Sequence, residues 1–160
     1  MDAKDEVAPH RALTAVGFLL AQVGAFAANR FAERTATLDL TPAQAGLLRL
    51  LIAQPGRSQR ELADELGMPP SRFVQFADKL EERGLIERKR NPDDRRQHAL
   101  HLTPKGRATL GELAAVAREA EETLCRSLTS EEHQQLSELL VRIAADQGLT
   151  PGVHPGYKMV

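Results

Sequence analysis

An arginine and a glutamine three residues apart on one helix have the chemistry to read base edges. A guanidinium fork matches O6 and N7 of guanine, and a carboxamide matches N6 and N7 of adenine, both in the major groove of a duplex. Arg72 and Gln75 stand in that relation, flanked by Ser71 and Lys79, whose hydroxyl and ammonium suit phosphate oxygens. A second pair, Arg95 and Arg96, follows Asn91-Pro92-Asp93-Asp94, a run of turn-forming residues. Arginines at a turn apex can reach phosphates or a narrow minor groove. From residue 83 to residue 107 the chain carries eight basic residues against three acids, on a protein whose net charge is −1. A local excess of that size on a nearly neutral chain points to a polyanionic partner.

The segments around these residues are built to position them. Ser58 and Glu61 have capping-box spacing, and Leu62, Ala63 and Leu66 give the helix that follows one apolar face. Gly67 is suited to end that helix, and Pro69-Pro70 to begin another. The second helix is predicted from Ser71 to about Arg83, with Phe73, Phe76, Ala77 and Leu80 buried and Ser71, Arg72, Gln75 and Lys79 directed elsewhere. Gly84 then ends it, residues 85–90 read as a strand, and residues 98–102 as a second strand with Leu100 and Leu102 on one face. The product is a helix-turn-helix followed by a basic hairpin, in which the second helix would lie in the major groove.

Upstream, residues 10–37 form a helical pattern whose apolar positions (Leu13, Val16, Leu20, Val23 and Ala27, widened by Phe18, Leu19, Phe26 and Phe31) cover more than one side. Such a helix must be covered on more than one face, part of it by a second subunit. Thr41-Pro42-Ala43-Gln44 starts another helix, stopped by Pro55-Gly56, which would serve as the scaffold behind the reading pair. After the hairpin, Thr103-Pro104 opens a long helix to about Ser127, and Thr129 caps a last one carrying Leu136, Leu139, Leu140 and Ile143. These two are expected to form an antiparallel pair.

The region from Leu80 through Arg88, the run Asn91-Pro92-Asp93-Asp94-Arg95-Arg96, and Leu100, Leu102 and Thr103-Pro104-Lys105-Gly106 together resemble the MarR family of winged helix-turn-helix transcriptional regulators. The resemblance implies a mainly α fold with a small β wing. Residues 41–103 would be the winged helix-turn-helix, residues 10–37 and 104–147 the dimerisation helices, and residues 148–160 an extended tail, all in a single MarR-like domain. It implies a homodimer, a palindromic operator in double-stranded DNA, and a small aromatic or phenolic effector that weakens binding. By the same resemblance Arg95 or Arg96 enters the minor groove and Asp94 steadies the wing. The effector would bind between the dimer helices and the reading unit, where Phe18 and Phe26 are candidate pocket residues and Arg49 a candidate partner for an acidic ligand. Plain core packing is the competing account of both phenylalanines. Family members that sense oxidants use a cysteine near the N-terminus, which this chain lacks.

Other functions find little support. No glycine-rich phosphate loop or Gly-x-Ser-x-Gly is present, and the adjacent pairs Glu81-Glu82 and Glu121-Glu122 diverge on their helices as solvated faces, so no enzyme and no cofactor are expected. His98 and His101 point to opposite faces of a strand, and His10, His133 and His154 are scattered, so no metal site is expected. The lone Cys125 allows no intrachain disulfide and reads as a small core residue. With 42% hydrophobic and 27% charged residues and no run of about 18 apolar positions, the chain has an ordinary globular composition and no membrane span. Its acidic start (Asp2, Asp5, Glu6) has no signal-peptide pattern, which leads to the expectation of a cytoplasmic protein. The rival readings are a DNA binder without an effector and a winged-helix protein-interaction module. The arginine-tipped hairpin argues against the second.

Overall fold

The computed structural model describes residues 14–90 and 98–153. In chain order it contains α1 (Val16–Ala36), α2 (Pro42–Ala53), α3 (Gln59–Leu66), α4 (Pro70–Glu82), β1 (Ile86–Arg90), β2 (His98–Leu102), α5 (Pro104–Leu124) and α6 (Ser130–Asp146). None of these helices is long and apolar enough to cross a membrane.

Helix starts follow side-chain chemistry. Capping boxes close at Thr41/Gln44, Ser58/Glu61 and Thr129/Glu132, each satisfying two backbone N–H groups that a helix start leaves without partners. The hydrogen bonds from the Ser58 backbone N–H and hydroxyl hold the Glu61 carboxyl below its ordinary range. Gly67 ends α3 in the left-handed conformation, with φ of 62°, which glycine adopts at no steric cost. Pro69 then caps α4 and Pro70 opens it, one residue before the predicted start.

The core sits between α2 and the reading pair. Helix α2 is buried over most of its circumference, from Ala43 to Leu48 and again at Leu50 and Leu51. It meets Leu62 and Leu66 of α3, Phe73 and Leu80 of α4, Leu85 and Ile86 beside the hairpin, and Leu100 and Leu102 of β2. Burying a side chain of that size contributes about 1.5–3 kcal/mol, so this cluster is the main source of stability.

Strands β1 and β2 pair antiparallel, with Ile86 opposite Leu102 and Arg90 opposite His98. A bridge from Ser58 to Ala99 and a hydrogen bond from the Leu100 N–H to the Arg57 carbonyl (3.0 Å) add the start of α3 to the far edge of β2. That third segment covers Ala99, which is buried along with Leu100 and Leu102. The hairpin tip, with Asp94, Arg95 and Arg96, lies outside the described residues.

Two expectations need correction. The last helix does not form an extended antiparallel pair with α5. It buries no residue, and Leu136, Leu139, Leu140, Val141 and Ile143 stay exposed. Helix α5 ends at Leu124, three residues before the predicted end, because Cys125 leaves helical geometry as its C-cap. The N-terminal helix is likewise open on one side: Val16, Phe18, Leu19, Leu20, Val23 and Phe26 are all exposed.

Candidate nucleic-acid interface and ligand cavity

The apolar stripe of α4 decides which residues face outward. Phe73, Ala77 and Leu80 are fully buried, and the opposite side presents Ser71, Arg72, Gln75 and Lys79, all exposed. The four predicted residues therefore share one accessible surface. Val74 joins them at 43% exposure, an apolar side chain that the sequence pattern did not single out. Its position one residue before Gln75, off the stripe, was the available signal.

The wing strand is fastened to this helix by Arg88. Its guanidinium contacts Asp78 (Nη2 to Oδ1, 2.6 Å) and Glu81, both on α4, and donates from Nε and Nη2 to Gln59 Oε1 on α3 (3.2 Å each). The Arg88 backbone N–H also donates to Glu81 Oε1 at 3.1 Å. One planar cation thus ties strand, reading helix and supporting helix together. This corrects one expectation, since Glu81 is not a solvated face, and it removes Arg88 from the basic residues free to meet a polyanion.

The local positive excess is correspondingly smaller than the sequence count. Arg83 turns back to the Leu38 and Asp39 carbonyls in the α1–α2 connection, and Lys89 pairs with Glu87 at 2.8 Å. Arg72 and Lys79 on α4 and Arg90 on β1 remain exposed without an ion pair among the described residues. Arg60 on α3 and Lys105 and Arg107 at the start of α5 are exposed without an ion pair as well, so the cations left for phosphate extend beyond α4 and β1.

At the other end of the molecule a cavity of about 310 Å³ opens between α1 and α5. Phe26, Phe31, Ala117, Ala120 and Leu124 supply apolar walls, and Arg30, Arg34 and Arg49 bring three guanidinium groups to it. Arg30 stacks over the Phe26 ring, 5.5 Å from its centroid. Arg34 is bound to Glu119 at 2.6 Å; that hydrogen bond and its charge hold the Glu119 carboxyl below its ordinary range and raise the guanidinium. Arg30 also pairs with Glu33 at 3.2 Å and Glu121 lines the same space, so Arg49 is the one lining guanidinium without an ion pair among the described residues; apolar walls beside that cation suit an anion that carries a flat apolar body. Phe26 and Arg49, two of the residues considered for an effector pocket, line this space. Phe18 does not; it lies exposed elsewhere on α1.

A second, wider cavity of about 610 Å³ lies between α1, the end of α5 and α6. Cys125 lines it and is half-buried rather than a core residue. Burial, then the charge of Glu121, pushes its thiol up. His133, one of the histidines scattered along the sequence, lies with Nε2 2.8 Å from Glu121 Oε1.

Comparison with known proteins agrees with this geometry. Residues 38–97 match the model of the MarR family. A protein of Thauera aromatica, named as a transcriptional regulatory protein for the hcr operon, is 34% identical over 131 residues, covering 81% of this chain and 78% of its own. Among solved structures, the transcriptional repressor CouR bound to a 23-mer DNA duplex is 39% identical, covers 84% of this chain and 95% of its own, and superposes with a TM-score of 0.73. CouR bound to p-coumaroyl-CoA is 36% identical, covers 87% and 98% of the two chains, and gives a TM-score of 0.67. The exposed reading helix, the strand pair behind it and these relatives lead to one assignment: the chain belongs to the MarR family of winged-helix, DNA-binding transcriptional regulators.

Proposed function

We propose that this regulator is a homodimeric repressor that holds an inverted-repeat operator and releases it when an aromatic acid, free or as its coenzyme A thioester, enters the arginine-lined cavity. Arg72 and Gln75 read bases, Ser71 and Lys79 hold phosphates, Val74 meets a thymine methyl, Arg95 or Arg96 enters the minor groove, and Asp94 steadies the wing.

The observation that carries this reading is where the cavity lies. It sits between α1 and α5, with Arg49 reaching it from α2, the helix that backs the reading pair. A ligand there contacts both the terminal helices and the reading unit. It would bias their relative arrangement by whatever difference in affinity it has for the DNA-bound and free forms. The ligand class is supported by the p-coumaroyl-CoA complex of CouR and by the chemistry of the lining.

The dimer is supported by the apolar surface at both chain ends. Val16, Phe18, Leu20 and Val23 on α1, with Leu139, Val141 and Ile143 on α6, are exposed in one copy of the chain. Large apolar side chains left exposed on two terminal helices support an interface there. Two-fold symmetry would then set half-sites about 10 base pairs apart, one turn of duplex.

A thermal-shift series with p-coumarate, benzoate and their coenzyme A thioesters tests the effector. A ligand present at a hundred times its Kd stabilises the folded form by about 2.7 kcal/mol, and the same ligand should displace DNA. Absence of any shift, with DNA binding unaltered by every compound, would instead establish a DNA binder without an effector of this class.

A further inference from the structure

Among the described residues that the DNA-reading account leaves unused is a converging set of metal-binding groups. Glu121, Cys125 and His133 bring a carboxylate oxygen, a thiol sulfur and an imidazole nitrogen within 4.8 Å of one another. We propose that these three side chains bind one divalent cation of the zinc class per protomer, at a site adjoining the aromatic-ligand cavity and sharing Glu121 with its wall.

The local fold explains why they converge. Glu121 and Cys125 are four residues apart at the end of α5, so they lie on one helical face. The chain then turns through Leu128, whose N–H donates to the Cys125 carbonyl at 2.9 Å, and restarts at the Thr129 capping box. That cap fixes the first turn of α6 and delivers His133 back onto Glu121. The corner is held by backbone and capping hydrogen bonds that do not involve the three ligating groups, so it is in place before any ion arrives.

The donor set selects the ion. Thiolate, imidazole and carboxylate together are a borderline-soft mixture that favours zinc over magnesium or calcium, which prefer all-oxygen shells. Loss of the thiol proton on binding gives two negative ligands and one neutral one. They balance a doubly charged ion and replace the repulsion between thiolate and carboxylate with attraction to a shared cation. Three protein ligands leave one position of a tetrahedron for water or another donor. Because Glu121 and Leu124 line both cavities, an ion here would stiffen one wall of the aromatic-ligand cavity and fasten α6, otherwise barely packed, to the end of α5.

The test uses the full chain, without a histidine tag and stripped with chelator, titrated with Zn²⁺ against a chromophoric competitor and separately with Co²⁺ in a spectrophotometer. The expected result is one equivalent per protomer, and a thiolate-to-cobalt charge-transfer band in the near ultraviolet. Cys125→Ser should abolish the band, and His133→Gln should weaken zinc binding by at least ~10–100-fold, the loss typical when only an outer partner of a metal ligand is removed. His98→Gln, at a histidine outside the cluster, should retain both. Circular dichroism of each variant confirms that it folds. Failure of the wild-type chain to bind zinc, or binding of equal affinity in Cys125→Ser and His133→Gln, would overturn the site.

Discussion

Arg88 Nη2 lies 2.6 Å from Asp78 Oδ1, and through this contact the first wing strand is fastened to the reading helix. The arginine side chain is 17% exposed and also holds Glu81 and Gln59, so one guanidinium adds to the packing of Leu85 and Ile86 in setting the relative position of wing and helix. Replacing it leaves two carboxylates facing each other without a cation. Arg88→Ala should lower stability by about 1–2 kcal/mol, the range for charged hydrogen bonds discounted for partial solvent exposure. Arg88→Lys should rescue only part, because an ammonium cannot reproduce the fork. Urea denaturation of both variants measures this; full stability in the alanine variant would show that the strand is held some other way.

Gly106 supplies a second junction, between the hairpin and α5. A methyl group there would lie 2.0 Å from the Leu85 carbonyl oxygen, which already accepts from the Thr103 N–H at 3.1 Å. Gly106→Ala must push the helix start away from the strand and should cost about 1–3 kcal/mol. Gly111, five residues on in the same helix, has nothing within 4 Å of an added methyl. Gly111→Ala should therefore stabilise by roughly 0.5–1 kcal/mol, since alanine loses less entropy in a helix. Opposite signs in two thermal melts are the expected outcome; equal signs would contradict the close approach at Gly106.

On the reading surface the variants should separate by kind of loss. Arg72→Ala should cost about 1–3 kcal/mol at its own base pair and relax preference there. Lys79→Ala should weaken all sequences alike and reduce the salt slope by about 1. Arg95→Ala with Arg96→Ala should also weaken every sequence and flatten the salt dependence. Binding isotherms over a salt series distinguish these cases; unchanged affinity and slope in the double variant would remove the wing from the interface.

Much of this architecture was legible along the chain because it rests on local chemistry. Thr41, Ser58 and Thr129 each announce a helix start through a partner three residues on, and Gly67 announces a stop. The outward set Ser71, Arg72, Gln75 and Lys79 followed from where Phe73, Ala77 and Leu80 must go. What was not legible depends on tertiary register. Nothing in Arg88-Lys89-Arg90 says that only the first will turn inward, since its partners lie 7, 10 and 29 residues away. Glu121, Cys125 and His133 looked unrelated because a helix end and a cap, not a short motif, bring them together. The apolar stripe of α6 was legible as a pattern, but no residue of that helix is buried among the described residues.

The cavity gives a prediction that separates charge from shape. Arg49 is exposed, lines the cavity, and makes no ion pair among the described residues. Arg49→Ala should weaken binding of an aromatic carboxylate or thioester by about tenfold or more, as the loss of a charge-assisted hydrogen bond implies. Binding of a neutral amide analogue should change little, and ligand-free DNA binding should be untouched. Calorimetric titration of the three cases would decide it; equal losses for charged and neutral compounds would mean that the arginine only shapes the cavity.

The most direct test of the central claim is selection of bound sequences from random duplex DNA by the purified full chain at physiological salt. A two-fold dimer that reads bases from α4 should enrich an inverted repeat whose half-sites lie about 10 base pairs apart, centre to centre. Retention of DNA without any enriched sequence, lost steeply as salt rises, would contradict base reading by Arg72 and Gln75.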